Sequence, residues 1–187
     1  MPELPEVEVT RQGVAPNLEG RVVQQVILRR SGLRWPFPPD LPLLLAGRTI
    51  RSTGRRGKYL LIGFDHGTLI IHLGMSGHLR ILAPHIAPEK HDHFDLAVAG
   101  PVVMRLTDPR RFGAVLWHGH EQGALETHVL LRGLGVEPLE AGFSDMTLFQ
   151  HSRKRSAAIK QVLLAGDIVV GVGNIYADES LHLAKIH

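Results

Sequence analysis

The chain opens Met-Pro-Glu-Leu-Pro-Glu-Val-Glu. With Met1 removed, Pro2 becomes an N-terminal secondary amine. An α-amine has a pKa near ~8, so part of it is unprotonated at neutral pH and able to attack an electrophilic carbon. Attack on a sugar carbon would yield an iminium intermediate, and Glu3 stands beside that nitrogen as a group able to move protons. Taken alone, Pro-Glu is also an ordinary helix entry. Lys58, followed by Tyr59 and Leu60, is a second candidate amine, or else an edge-strand lysine that discourages aggregation. Met75 is either functional or a core gap-filler. His91-Asp92-His93 has the spacing that puts two imidazoles on one side of a strand, and with His72 it could form a metal site. Basic residues gather at Arg51, Arg55, Arg56 and Lys58, at Arg105, Arg110 and Arg111, and at Arg153, Lys154, Arg155 and Lys160. On one shared face they would track a phosphate backbone; separately they read as solvated surface.

Side chains so far apart in sequence need a scaffold to bring them together. The 187 residues suffice for one good-sized domain or two modest ones. No apolar run reaches the ~18 residues of a membrane span, and the acidic opening is unlike a signal peptide. A soluble, cytoplasmic protein is therefore expected. The absence of cysteine excludes disulfides, thiolate catalysis and any cysteine-built zinc site in these residues. A net charge of +3 permits a polyanionic partner without demanding one.

Pro5, with Glu6 and Glu8, suits a helix start, and Val7, Val14 and Leu18 recur at helical spacing, although Gly13 weakens the pattern. Short β-rich runs follow at 22–28, 59–64, 68–73, 94–98, 102–106 and 114–117, separated by turns such as Asp65-His66-Gly67. They predict an antiparallel sandwich or flattened barrel flanked by helices. The Pro-rich stretch 35–42 reads as a loop. After about residue 135 the texture turns helical, with helices at 156–164 and 175–186 and Asn174 as N-cap of the second. The fold class is α+β, with a β domain over 1–130 and the opening of a helical domain over 131–187.

Six segments then carry a specific resemblance: MPELPEVE, GRRGKYL, HLGMSGHLR, EKHDH, TDPRRFG and VVGVGNIYADESL. In this order and spacing they resemble the formamidopyrimidine-DNA glycosylases, a bacterial repair family, and their opening favours its purine-repair branch. The resemblance implies a glycosylase with AP-lyase activity on double-stranded DNA holding oxidised purines or abasic sites, acting as a nucleoid-associated monomer without a membrane. Pro2 would be the nucleophile that forms a Schiff base, Glu3 the acid/base on the opened sugar, and Lys58 a helper in strand cleavage near the reacting phosphate. His72, His91, Arg110, Arg155 and Asn174 would contact DNA phosphates. Arg155 departs from the family pattern, in which lysine is common. Met75, Arg110 and Phe112 would fill the void left by a flipped-out lesion.

The family's proteins complete a helix–two-turns–helix domain and end in a four-cysteine zinc finger. The chain stops at His187, so the finger, its zinc and its arginine are expected to be missing, leaving no cofactor and an incomplete helical domain. Truncation is expected to leave DNA binding weak and strongly salt-sensitive and glycosylase turnover very low, and the rival expectation is a non-catalytic DNA-binding fragment.

Overall fold

The structure, a computed structural model, describes residues 2–186. Helix α1 (Leu4–Leu18) begins as its sequence suggests. Pro5 sits in the first turn, where no amide partner is needed, and the Glu6 carboxylate accepts from the Glu3 amide at 2.8 Å. The helix runs through Gly13 without a break and buries Leu4, Val7, Val14 and Leu18.

Two four-stranded antiparallel sheets pack against each other. One joins β1 (Val23–Leu28), β6 (Asp92–Val98), β7 (Val102–Thr107) and β5 (His78–Leu82) in that order. The other joins β2 (Ser52–Arg56), β3 (Tyr59–Phe64), β4 (Gly67–His72) and β8 (Ala114–Gly119). Strand β3 alternates strictly and points Leu60, Ile62 and Phe64 inward. Those side chains meet Phe94, Leu96 and Met104 of the other sheet, with Val14 and Leu18 of α1 closing the core.

The strand reading missed β2 and β5. The first, STGRR, is polar and contains a glycine; the second is a short run whose side chains remain partly exposed. The first shows no apolar alternation, and the second alternates only over His78-Leu79-Arg80-Ile81, too short a stretch to stand out. The last two residues of the Pro-rich stretch expected as a loop open a short helix, α2 (Leu41–Leu45), which buries Leu41 and Leu45.

Beyond the sandwich, Val136 pairs in parallel with Val169, and three helices follow: α3 (Asp145–Ser152), α4 (Ile159–Ala165) and α5 (Asn174–Leu183). Leu163, Val169 and Ala177 form their small core, with Phe143, Leu148 and Leu181 packed on it. Helix α3 was not anticipated, although Ser144 caps it by accepting from the Thr147 amide at 3.1 Å. Residues 156–158 lie outside α4, because Ala158 is extended despite its high propensity. Nor is Asn174 the cap of α5: it is the first helical residue, and Gly173 occupies the cap position. The helix stops at Leu183 rather than at 186, because Lys185 takes a left-handed conformation with φ 56°. The Ile186 amide then bonds the Leu181 carbonyl and the Lys185 amide that of His182, an ending usually signalled by glycine. Among the described residues, no helix is long and apolar enough to cross a membrane.

Candidate functional site

The N-terminal segment, the β2–β3 turn and the irregular segment leading into α5 meet at one place. The Leu4 amide bonds the Gly171 carbonyl at 3.0 Å. The Glu3 carboxylate, almost fully buried, accepts from the amides of Gly173 at 2.7 Å, Ile175 at 2.8 Å and Tyr176 at 3.2 Å. Free amides at a helix start attract an anion, so the carboxylate missing at the cap position of α5 is supplied from the other end of the chain. Gly57 and Lys58 form the turn between β2 and β3, and the Lys58 ammonium donates to the Val172 carbonyl at 2.9 Å. Burial pushes the lysine pKa down, while the nearby Glu3 carboxylate pushes it back up. Pro2, immediately before Glu3, therefore lies at this junction; the expected removal of Met1 concerns a residue outside those described.

His72 ends β4 opposite Tyr59, with the two rings 4.9 Å apart. Its Nδ1 accepts from the Gly74 amide at 3.1 Å, which leaves Nε2 as the protonated nitrogen. Burial, then Lys58 and Arg34, lower its pKa from 6.5 to about 4, against a smaller upward pull from Asp108. His72 is thus a neutral donor near physiological pH. Asn174 is exposed at the first position of α5.

The remaining candidates divide. Met75, Arg110 and Phe112 are all exposed on two adjoining loops, and the Arg110 guanidinium lies 5.0 Å from the Phe112 ring centre. An exposed Met75 is not a core filler. His91 stands edge-on to His93 at 6.4 Å. Arg155 shares no hydrogen bond or ion pair with Glu3 or Lys58; it pairs with Asp167 at 2.5 Å.

The three basic clusters do not form one free face. Arg105 is buried and paired with Asp95 at 2.8 Å, Arg51 pairs with Asp65 at 2.7 Å, and Lys160 with Asp178 at 2.6 Å. Arg55 and Arg56 both reach Glu137, at 2.7 and 3.1 Å. Acidic partners on a neighbouring strand, a turn, a loop and a helix offset the charge at these positions. His93 is likewise committed: it is buried, with Nε2 3.0 Å from the Asp108 carbonyl oxygen. Among the described residues, no three His, Asp or Glu side chains converge as metal donors. With no cysteine in the chain, its residues do not fit the zinc of a four-cysteine finger.

Two organising residues were not legible in the sequence. Glu137 accepts from Arg55, Arg56 and the Gly57 amide and so holds the Lys58 turn. Asp108 is fully buried between the loops of Met75 and Arg110. An acid beside a proline, as in Glu137-Pro138 and Asp108-Pro109, reads locally as turn chemistry.

The family model described as "Formamidopyrimidine-DNA glycosylase N-terminal domain" matches residues 1–115, and "Formamidopyrimidine-DNA glycosylase H2TH domain" matches 134–187. The formamidopyrimidine-DNA glycosylase of Janthinobacterium sp. (strain Marseille) is 73% identical over all of this chain and 68% of its own length. That of Herminiimonas arsenicoxydans is 71% identical over the same shares. Among solved structures, Lactococcus lactis Fpg in complex with abasic-site DNA superposes with a TM-score of 0.90 at 34% identity, covering 99% of this chain and 68% of that one. A complex of the wild-type Lactococcus lactis protein with N7-benzyl-Fapy-dG DNA gives 0.91 at 34% identity, covering 100% and 68%.

Proposed function

The chain belongs to the formamidopyrimidine-DNA glycosylase family, and from that membership we propose that it excises oxidised purines from double-stranded DNA and cleaves the resulting abasic site. The supporting observation is the meeting of the Pro2–Glu3 segment, Lys58 and the start of α5, tied by the Lys58–Val172 and Glu3–Gly173 bonds.

With Met1 removed, the Pro2 nitrogen attacks C1′ of the damaged nucleotide. The bond from C1′ to the base breaks, the base leaves with the electron pair and takes up a proton, and the sugar ring opens to an iminium with Pro2. Loss of a C2′ proton then expels the 3′ phosphate, and a second elimination releases the 5′ phosphate. Glu3 exchanges protons with the opened sugar, while Lys58, partly desolvated, sits beside the reacting phosphate. His72 donates through Nε2 to the DNA backbone, and the exposed Asn174 at the first position of α5 contacts a neighbouring phosphate through its side chain. His91, Arg110 and Arg155 add phosphate contacts. Met75, Arg110 and Phe112 occupy the emptied stack, where an extruded base forfeits stacking worth a few kcal/mol. No cofactor enters these steps, and the acting unit is a monomer.

Borohydride trapping tests the reading. A chain with a free Pro2 should form a covalent adduct with abasic-site duplex, since borohydride reduces the iminium to a stable amine. The same chain carrying an extra N-terminal residue should form none. Absence of adduct from the free-proline chain, with DNA binding intact, would leave the non-catalytic DNA-binding reading.

A further inference from the structure

The void-filling side chains sit on two separate loops. Met75 lies in the turn between β4 and β5, and Arg110 and Phe112 lie in the loop between β7 and β8. One buried group joins these loops. Asp108 accepts from the Ser76 hydroxyl at 2.9 Å through Oδ1 and from the Gly113 amide at 2.8 Å through Oδ2. Ser76 Oγ in turn accepts from the Arg110 amide at 3.1 Å, so a single hydroxyl ties the Met75 turn to both Asp108 and Arg110. The Asp108 amide donates to the His91 carbonyl at 2.9 Å, and its own carbonyl meets His93 Nε2 at 3.0 Å. The loops also touch backbone to backbone. Gly74 has φ 64°, and a Cβ there would lie 2.5 Å from the Gly113 nitrogen and the Phe112 carbonyl carbon. A fully buried carboxylate that spends both oxygens on two neighbouring loops costs desolvation, which its hydrogen bonds offset.

We propose that Ser76 and Asp108 are positioning residues that lock the two loops into one rigid wedge, so that Met75, Arg110 and Phe112 enter the base stack together. Neither side chain need touch the reacting sugar. The inference rests on the glycosylase reading and assigns the clasp to base extrusion rather than to bond breaking. A paired lesion must be pushed out of the stack, whereas a ready-made abasic site has no base to extrude.

The test compares the unsubstituted chain with Ser76→Ala and Asp108→Asn. Single-turnover excision is measured on duplex with 8-oxoguanine opposite cytosine, and borohydride trapping on duplex with an abasic site. Both variants should slow excision of the paired lesion by about tenfold, while trapping rates stay within about twofold of the unsubstituted chain. Equal slowing on both duplexes, or none on the paired lesion, overturns the proposal. Ser76→Ala removes only a hydroxyl, so it reports even if Asp108→Asn fails to fold. A second readout needs no turnover: 2-aminopurine beside an abasic site brightens when a wedge unstacks it. At saturating protein the brightening should fall by at least about half in both variants if the clasp sets the wedge. Unchanged brightening overturns the clasp. An unsubstituted chain that brightens the probe yet forms no borohydride adduct overturns the catalytic reading instead.

Discussion

His72 shows how much of a residue's chemistry is set by neighbours that a motif does not reveal. The segment HLGMSGHLR marks it as a contact, but its tautomer comes from the Gly74 amide and its lowered pKa from burial and from Lys58 in the β2–β3 turn. A histidine with pKa about 4 in the fold and 6.5 in the unfolded chain binds fewer protons when folded across that interval. Stability must then rise with pH from about 4 to 6.5 and flatten above it. At pH 5 the linkage amounts to about 2 kcal/mol relative to neutral pH. We predict that His72→Gln removes that part of the acid sensitivity, read from urea unfolding at pH 7 and pH 5. An unchanged pH dependence would show that His72 titrates normally. The same neutrality separates His72 from Arg110 on DNA. Arg110→Gln should flatten the plot of log affinity against log salt by about one unit of slope, as expected for a lost cation–phosphate contact. His72→Gln should weaken binding with the slope unchanged, because a neutral donor displaces no counterion.

At the scale of elements, legibility followed the apolar pattern. Strands β3, β4, β6, β7 and β8 carry continuous or alternating apolar side chains, and α1 carries helical spacing with its own start signal. Strand β2 and the termini of α5 lack such patterns, because partners elsewhere in the chain define them, and β5 alternates too briefly to stand out. The start of α5 is the clearest case: Asn174 looks like a cap, yet the capping carboxylate is Glu3, 170 positions from Gly173. A Cβ on Gly173 would lie 2.5 Å from the Glu3 carboxyl carbon, so Gly173→Ala should expel that carboxylate. The loss of a helix-capping acceptor costs about 1 kcal/mol, measurable in thermal or urea unfolding. Because the same displacement moves Glu3 away from Pro2, borohydride trapping should fall as well. Glu3→Gln, which keeps an acceptor oxygen in place, should lose less stability than Gly173→Ala. The reverse order would mean that Glu3 does not hold α5.

Across the whole molecule, the proposed site exists because the sandwich and the helical segments are tied together. Such ties leave little trace in the sequence. Lys58 reaches Val172 across 114 positions, and Gly57 reaches Glu137 across 80. Family motifs marked Lys58 and Glu3 as important, but no local pattern marks Glu137, whose buried carboxylate receives two arginines and the turn amide. Replacing Glu137 with Ala would remove the anion shared by the partly buried Arg55 and Arg56, leaving Arg55 only the Glu8 carboxylate at 3.4 Å. Removing one partner of a buried ion pair costs about 3 kcal/mol. The Gly57 amide would also lose its acceptor, freeing the turn that aims Lys58. Pro2 and Glu3 are held separately, through Gly171 and Gly173, so the two amines should respond unequally. Glu137→Ala should therefore impair strand cleavage of an abasic site more than borohydride trapping by Pro2, assayed on the same duplex at a temperature where the variant remains folded. If both fall in proportion, Glu137 supports the fold as a whole and does not orient Lys58.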